Sequence, residues 1–306
     1  MNAETPLKND KKLSVFAPAK INLFLHLTRK KQDGYHALQS LVSFADIGDE
    51  INIKPAEQFS FSVEGPFARN FKEQEKNTAI EGTNLAVKAA RALSQAENKA
   101  LNVDITLTKN LPLAAGIGGG SADAAAVIWG LQQLWETQKD VAYLLPMLTK
   151  LGADVPVCMR CQPTLVEGIG EKLLAAPDIP EIPILLVNPL LPCPTEKTFL
   201  HHDAAFKDKI KLPDQFIDIF DLVEFLRTTS NDLYEPAAQL VPEIGNVINA
   251  LEASKNCLMA RMTGSGASCF ALFETMEQAR IAEQEIMQEN SDWWVKAGWL
   301  NRPERY

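Results

Sequence analysis

The sequence lacks any apolar run approaching the ~20 residues that a membrane-spanning helix needs. Its first twelve residues are polar and charged, which is not typical of a secretory signal peptide. Lysine and arginine total 30 against 39 aspartate and glutamate residues, giving a formal net charge of -9, and no basic stripe stands out. We therefore expect a protein that binds neither a membrane nor nucleic acid.

Cysteine is also scarce. Five cysteines in 306 residues are an odd number in a long chain, which does not indicate a disulfide framework and favours a reducing cytoplasm. Cys158 and Cys161 form a single C-x-x-C pair, which supplies too few ligands for a structural zinc site. We interpret both as small residues of a half-buried strand.

The remaining composition is that of an ordinary globular chain, with 46% hydrophobic and 23% charged residues. Its length allows one large or two ordinary domains. Segments rich in apolar residues, which alternate clearly over 47–53, 59–63 and 103–108, predict strands over 13–28, 35–54, 59–63, 103–108, 155–166, 183–187, 258–262, 268–273 and 293–297. Helical spacing predicts helices over 83–95, 140–151, 216–227, 231–240, 244–253 and 276–288. We expect Pro146 to break the second of these helices. The mixture without strict alternation predicts an α+β fold of two domains.

The most distinctive stretch is LPLAAGIGGGSADAAAVIWGL, residues 111–131. Its glycines let backbone N–H groups approach an anion without interference from Cβ atoms. The small residues that follow predict a helix that Ser121 opens and that runs to about Trp135. The first N–H groups of such a helix lack partners and lie at its positive end. Together these features predict a phosphate-binding site; the alternative is a glycine-rich turn that only packs a helix close to a sheet.

Three well-known phosphate loops fit this stretch poorly. A Walker loop requires lysine before its serine or threonine, but here Ser121 follows Gly120 directly. A Rossmann loop requires glycine at that position, immediately after a strand. A protein-kinase loop is followed by a strand, whereas Ala124–Ala126 and Leu131 indicate a helix.

The pattern Pro-x-x-x-Gly-x-Gly-Gly-Gly-Ser-x-Asp-Ala-Ala resembles the phosphate loop of the GHMP kinases, the small-molecule kinases named for galacto-, homoserine, mevalonate and phosphomevalonate kinase. The resemblance implies an ATP-binding domain over 1–165, joined by about 291–306. A smaller C-terminal substrate domain would cover 166–290, with the active site between the two. It assigns ATP binding to Pro112, Leu113, Ala114, Ala115, Gly116, Ile117, Gly118, Gly119, Gly120, Ser121 and Ala122.

Five further segments are similar to one branch of these kinases, whose substrate is a cytidine diphosphate ester of methylerythritol. They are Pro18–Leu25, Asp33–Leu38, Gly152–Val157, Gly168–Glu171 and Thr263–Ala267. Each segment is short, but together they span most of the chain in the order of that branch. The resemblance implies transfer of the γ-phosphoryl group of ATP to the 2-hydroxyl of that substrate, in the non-mevalonate route to isoprenoids.

Two charged residues are the candidate catalytic groups. Lys20 lies in an apolar strand, where burial is costly unless a negative group faces it; the alternative is a surface lysine at the strand break. Asp154 follows a helix-ending glycine and is alternatively an ordinary turn residue. The resemblance implies that Asp154 is the general base, and that Lys20 keeps it ionised and neutralises the transferring phosphoryl group.

The start of the predicted helix is the candidate metal site. The hydroxyl of Ser121 could cap the helix, and the resemblance places the matching serine near the Mg²⁺ of the nucleotide; both readings stay open. Ala122 stands where many relatives carry a second serine. We expect Asp123 to support the helix N-terminus.

The resemblance also implies a set of substrate contacts. Tyr35 and His36, alternatively ordinary strand residues, would stack on the cytosine and hydrogen-bond its edge. Phe199 matches the second aromatic of that sandwich, and Thr195 matches a further substrate contact. Asn22 shares the strand face of Lys20 and matches a contact to the methylerythritol part.

The glycine-containing stretch around Thr263 and Gly264 is either a hairpin turn or an anion nest opposite the first loop. Two other functions remain open: a GHMP kinase for mevalonate or a sugar, and a non-catalytic nucleotide-binding regulator on the same fold. We expect a cytoplasmic monomer or homodimer.

Overall fold

The computed structural model describes residues 12–32, 34–70 and 84–301, so the tail expected over 1–12 lies almost entirely outside it. The described residues form ten strands and nine α-helices. The strands are β1 (Leu13–Lys30), β2 (His36–Pro55), β3 (Ser60–Glu64), β4 (Val103–Thr108), β5 (Thr164–Gly168), β6 (Lys172–Ala175), β7 (Ile182–Asn188), β8 (Met259–Met262), β9 (Cys269–Leu272) and β10 (Trp294–Leu300). The helices are α1 (Leu85–Glu97), α2 (Gly119–Trp135), α3 (Val141–Leu151), α4 (Val155–Arg160), α5 (Thr195–Leu200), α6 (Ile219–Arg227), α7 (Tyr234–Leu240), α8 (Glu243–Ala253) and α9 (Met276–Glu289).

Strand β2 is the centre of the first half of the fold. It is antiparallel to β1 over nearly its whole length. It then pairs with β5 along Leu38–Val42 and with β4 along Glu50–Pro55. Strand β3 runs parallel to β4, and β6 runs antiparallel to β5. The long pair of β1 and β2 therefore extends through the whole of this half, from β5 at one end to β4 at the other.

Helix α2 lies against β1 and β2 and also contacts α1 and α4. Its run of alanines, Ala124–Ala126, is fully or almost fully buried. Small side chains let the helix axis approach the sheet closely. This packing holds the N-terminus of α2, and the glycine loop before it, against β1.

The second half of the fold is a four-stranded antiparallel arrangement. Strand β7 pairs with both β10 and β9, and β8 lies beyond β9. The pair Leu300 and Ala45 joins β10 to β2, so the two halves share one continuous path of strands. The mixed α+β fold predicted from the sequence is confirmed.

The prediction of a strand over 155–166 is wrong, because its first six residues form helix α4. Pro156 lies in the first turn, where a missing N–H removes no helical hydrogen bond. Cys158 therefore lies on a helix and Cys161 caps its end, and both are buried. The interpretation of these two cysteines as half-buried strand residues is wrong for the same reason.

The predicted break at Pro146 is also wrong, since α3 continues through it. The proline removes one backbone hydrogen bond at a typical cost of ~3 kcal/mol. Both helix ends are well satisfied: Asp140 accepts the N–H of Tyr143 at 2.7 Å, and Gly152 donates to the carbonyl of Leu148 at 3.2 Å. Packing of α3 against α1 and α4 holds the helix across the proline. None of the helices in the described part of the chain is both long and apolar enough to cross a membrane.

Candidate active site

A cleft of about 1120 Å³ opens between the glycine loop, the middle of β1 and the segment around α5. It collects most of the residues that the sequence singled out, although they come from distant parts of the chain. Those that line it are Lys20, Asn22, Tyr35, His36, Pro112, Leu113, Ala114, Ala115, Gly116, Gly118, Gly119, Gly120, Ser121, Asp154, Thr195, Phe199 and Gly264.

Three predicted residues do not line this cleft: Ile117, Ala122 and Thr263 are all buried. The carbonyl of Ile117 accepts the backbone N–H of Lys20 at 2.8 Å, which ties the glycine loop to β1. The hydroxyl of Thr263 accepts the backbone N–H of Asn22 at 2.8 Å. These two hydrogen bonds hold β1, and with it Lys20 and Asn22, against the two glycine-containing loops.

The glycine loop ends in helix α2, which begins at Gly119 and not at Ser121 as predicted. Ser121 is thus the third residue of the helix, and Gly118, with φ of 66°, takes the cap position without a side-chain hydrogen bond. The first backbone bond of the helix runs from Ala122 to the carbonyl of Gly118 at 2.8 Å. The N–H groups of the preceding residues have no intrahelical partner and lie at the positive end of the dipole. This geometry suits an anion such as a phosphate.

The two glycine-containing loops pack directly against each other. A Cβ added to Gly116 would lie 2.5 Å from the carbonyl oxygen of Gly266 and 2.9 Å from that of Thr263. A Cβ added to Gly264 would lie 2.2 Å from the oxygen of Gly116. Only glycine allows this backbone-to-backbone approach, which fixes the second loop against the base of the first.

We expect Gly116→Ala to lower the free energy of unfolding by more than ~1 kcal/mol, because Gly116 has a φ of 74° and its neighbours are backbone atoms. The displaced loop should also raise KM for ATP. Gly245→Ala is the matched control, because a Cβ there meets nothing within 4 Å. Thermal unfolding and initial-rate kinetics measure both effects, and an unchanged midpoint and KM would contradict this account of the loop.

Lys20 and Asp154 meet in the cleft, with 3.3 Å between Nζ and Oδ2. The ammonium is almost fully buried, whereas the carboxylate side chain is 46% exposed. Asp154 occupies the cap position of α4 but makes no side-chain cap bond, which leaves its carboxylate available to the cleft. The carbons of Lys20 pass under Gly118, where an added Cβ would lie 3.0 Å from the lysine Cβ. A cation and an exposed carboxylate thus converge beside the glycine loop.

A buried charge cluster under the loop was missed by the sequence reasoning. Lys109 Nζ lies 2.5 Å from Asp49 Oδ2 and 2.7 Å from Asp123 Oδ2. Asp49 Oδ1 also accepts the backbone N–H groups of Asn110 and Leu111, at 2.6 and 2.8 Å. The cluster therefore holds the entry to the glycine loop. Asp123 does not support the helix N-terminus as expected, since one of its oxygens binds Lys109 and the other is buried without a hydrogen-bond partner in the described part of the chain.

Two carboxyl groups face one ammonium in this cluster. Burial raises the pKa of Asp123 to about 8, and Asp49 adds to that rise while Lys109 opposes it. The partners lie 60 and 14 residues from Lys109. No local sequence pattern therefore links the three residues.

Aromatic side chains form the far end of the cleft. The rings of His36 and Phe199 lie 5.6 Å apart, and His202 stands edge-on to His36 at 6.1 Å. Tyr35 is 63% exposed beside them. Burial lowers the pKa of His36, and the positive charge of Lys30 acts in the same direction. A neutral imidazole between two aromatic side chains suits a flat, polar ring such as a nucleobase.

The Thr195 hydroxyl lies 2.8 Å from that of Ser265 in the second glycine-containing loop. This bond ties α5, which the sequence did not predict, to the loop around Gly264. The hydroxyl groups of Thr195 and Ser265 therefore connect the helix that carries Phe199 to the second glycine-containing loop.

Comparison with known families gives two matches. The profile of the GHMP kinases N-terminal domain matches residues 84–162, and that of the GHMP kinases C-terminal domain matches residues 219–290. The first match contains the glycine loop, α2 and Asp154. The second contains α6 to α9 and the loop around Gly264.

Comparison with curated proteins gives matches over nearly the whole chain. A 4-diphosphocytidyl-2-C-methyl-D-erythritol kinase of Paramagnetospirillum magneticum is 42% identical, covering 92% of this chain and 96% of that protein. The protein of the same name from Cereibacter sphaeroides is 44% identical, with the same coverage. The crystal structure of a 4-(cytidine 5'-diphospho)-2C-methyl-D-erythritol kinase aligns with a TM-score of 0.76 at 28% identity, covering 95% of this chain and all of that one.

Proposed function

This chain belongs to the 4-diphosphocytidyl-2-C-methyl-D-erythritol kinase family of the GHMP kinases, and we propose on that basis that it phosphorylates the 2-hydroxyl of 4-diphosphocytidyl-2-C-methyl-D-erythritol. The products are the 2-phosphate and ADP, in the non-mevalonate route to isoprenoid precursors. The observation that carries the proposal is the convergence of Lys20 and Asp154, 3.3 Å apart, beside the glycine loop.

The nucleotide end of the reaction depends on the N-terminus of α2. The free N–H groups of Gly119, Gly120 and Ser121 would hold the phosphates, while Lys20 supports the γ-phosphoryl group. A Cβ added to Gly120 would meet nothing within 4 Å, so the loop has open space on that side. The nucleotide therefore has both hydrogen-bond donors and room.

We propose Ser121 as the protein's contribution to Mg²⁺ binding. No group of three or more histidine, cysteine, aspartate or glutamate side chains within 12–32, 34–70 and 84–301 could by itself hold a metal. A single hydroxyl such as that of Ser121 fits Mg²⁺, because this ion commonly keeps several waters and takes most of its other ligands from substrate phosphates. When bound with the nucleotide, the ion supplies charge neutralisation.

The proton of the accepting hydroxyl goes to Asp154. Its carboxylate is exposed to the cleft and has no capping bond to break, so it accepts the proton as the alcohol oxygen attacks the γ-phosphorus. Lys20 lies beside the carboxylate and balances the charge that spreads over the transferring group. Phosphoryl transfer depends mainly on positioning and electrostatic stabilisation, which these residues and the loop provide.

The cytidine end of the substrate lies among Tyr35, His36 and Phe199. A neutral His36 has one donor and one acceptor nitrogen for the base edge, while the aromatic rings stack on the two faces. Asn22 and Thr195 are the proposed contacts to the remainder of the substrate, with Gly264 at the second loop. Thr263 contributes by holding Asn22 and not by reaching the cleft.

We expect Phe199→Ala to raise KM for the cytidyl substrate, because stacking on one aromatic ring contributes ~1–3 kcal/mol per base. The values of kcat and of KM for ATP should stay unchanged, since the Phe199 ring packs beside His36 and belongs to neither glycine-containing loop. Phe220→Ala is the matched control, because that ring lies on α6 outside the cleft lining. Steady-state kinetics with each substrate varied separately measures the difference; equal KM values for the two variants would argue against the aromatic site.

We propose a domain boundary near residue 165, with 291–306 returning to the first domain through the pair of Leu300 and Ala45. Most of β10 nevertheless pairs with β7, which follows that boundary. The two family profiles fall on either side of that boundary.

We also propose that the protein is a cytoplasmic monomer or homodimer that acts on a small molecule. Its five free cysteines support a reducing compartment.

The experiment that tests the function offers the purified protein 4-diphosphocytidyl-2-C-methyl-D-erythritol or mevalonate, each with ATP and Mg²⁺, and follows ADP release. ADP should form with the cytidyl substrate and not with mevalonate. ADP with mevalonate alone would refute the substrate assignment, and ADP with neither would favour a non-catalytic nucleotide-binding protein.

A further inference from the structure

Asn22 is held on three sides by the protein itself. Its Oδ1 accepts from Lys20 Nζ at 2.7 Å, and its Nδ2 donates to Ser40 Oγ at 2.7 Å. Its backbone N–H donates to the Thr263 hydroxyl. The residue is 96% buried by these neighbours, since only 4% of its surface is exposed. Each end of the amide therefore has a protein partner before any substrate binds.

Ser40 is the partner that fixes the direction of this amide. It is fully buried on β2, and its hydroxyl donates to the backbone carbonyl of Phe24 at 2.5 Å. The pairing of β1 with β2 shifts between Asn22 and Phe24, and the serine hydroxyl bonds the Phe24 carbonyl beside that irregularity. A carbonyl only accepts hydrogen bonds, so the single proton of Ser40 points to Phe24. The side of Ser40 that faces Asn22 can then only accept.

The direction of the bonds follows from that constraint. An accepting Ser40 requires the NH₂ group of Asn22 to face it, which turns Oδ1 toward Lys20. A flipped amide would bring NH₂ against the lysine ammonium and leave two donors facing each other. The chain of bonds thus runs from Phe24 through Ser40 and Asn22 to Lys20, whose ammonium lies 3.3 Å from Asp154.

We propose that Ser40 is a positioning residue for the phosphoryl transfer, which acts on Lys20 through Asn22. Ser40 does not line the cleft, so it has no direct contact to offer a substrate there. Its removal would leave a buried amide NH₂ unpaired and free the amide to rotate away from Lys20. Because small displacements of a positioned group lower rates strongly, we expect kcat to fall about 10- to 100-fold in Ser40→Ala.

The chain offers a matched control on the same strand. Ser43 is also fully buried, but its hydroxyl has no hydrogen-bond partner among the described residues. Ser43→Ala removes the same atom from the same kind of site and should leave kcat unchanged. Equal kcat values for Ser40→Ala and Ser43→Ala would overturn the proposal.

Two further variants separate positioning from folding. Ser40→Thr keeps the hydroxyl and should restore most of kcat. Ser40→Cys keeps the approximate size of the side chain, but its thiol is a weak donor and a weak acceptor, so its kcat should fall as in the alanine variant. If Ser40→Ala does not fold, the cysteine variant replaces it in the comparison. A cysteine variant with full kcat and an intact unfolding midpoint would overturn the proposal.

A double-mutant cycle tests whether Ser40 acts through Asn22. Adding Ser40→Ala to Asn22→Ala should lower kcat by no more than about twofold, because the coupled partner is already absent. The same full loss in both backgrounds would show that Ser40 acts by another route.

The inference rests on the proposed function, but the two fail differently. If the wild-type protein releases no ADP with the cytidyl substrate, the proposed function fails. If the wild-type protein turns over and Ser40→Ala keeps its kcat, the positioning role alone fails.

Discussion

Asp154→Asn lowers kcat about 10²- to 10⁴-fold in our account, because an amide cannot take the proton of the accepting alcohol. Asparagine keeps the shape of aspartate, and the wild-type side chain is 46% exposed with no capping bond. We therefore expect the variant to fold normally and to bind ATP with unchanged affinity. Single-turnover rates at saturating substrates, combined with calorimetric titration of an ATP analogue, measure the two quantities separately.

The control for this variant is Asp140→Asn. Asp140 also precedes a helix, but its carboxylate caps α3 through the N–H of Tyr143, and asparagine caps a helix about as well as aspartate. Its activity should equal that of the wild type. A rate for Asp154→Asn within about twofold of wild type would place the general base elsewhere, since a positioned base contributes ~10² or more.

Lys109→Met is the substitution with the largest expected effect on stability. It leaves Asp49 and Asp123 buried beside each other without a cation, and breaking a buried ion pair from one side typically costs ~3–5 kcal/mol. Asp49 also holds the N–H groups of Asn110 and Leu111, so the glycine loop should loosen and KM for ATP should rise. Denaturant unfolding measures the loss of stability.

Lys54→Met is the control for charge removal at the surface. Lys54 Nζ lies 2.9 Å from Asp104 Oδ2, but the lysine side chain is 60% exposed, and exposed pairs contribute ~0–1 kcal/mol. If both lysine variants lost the same small amount, the buried cluster would not be the support that we infer.

The cluster also gives the sign of a pH dependence. Because the folded state raises the pKa of Asp123 from 3.8 to about 8, the folded protein binds this proton more tightly than the unfolded chain does. That contribution to stability is complete below the unfolded pKa and is lost as the pH rises through about 8. A free energy of unfolding that rises over this interval would contradict the inference.

The local part of the site was predictable because short segments carried it. The glycine loop, its helix and the aspartate after Gly152 each lie within one stretch of sequence whose residue types have few other uses. The extended segments that contain Lys20 and His36 are rich in apolar residues, and the sequence predicts strands for both. What the sequence supplied was therefore the phosphate loop, the two catalytic candidates and the aromatic pair.

The rest depended on contacts between distant residues. Ser40 and Asn22 are 18 positions apart, and Thr263 lies 241 positions from Asn22; no local pattern links them. The sequence predicts a strand in place of α4, because six residues are too few to show a repeating helical pattern and two of them are valines, which favour strands. Tertiary packing against α2 and α3 settles its conformation, and sequence spacing alone does not contain that information.

The central claim is that Lys20 and Asp154 act together on an alcohol at the mouth of the glycine loop. The measurement that tests it most directly is a crystal structure with an ATP analogue and 4-diphosphocytidyl-2-C-methyl-D-erythritol both bound. We predict the phosphates at the N–H groups of residues 119–121 and the 2-hydroxyl within hydrogen-bond reach of the Asp154 carboxylate, about 2.6–3.2 Å. A nucleotide bound away from the loop, or a hydroxyl facing away from both side chains, would contradict it.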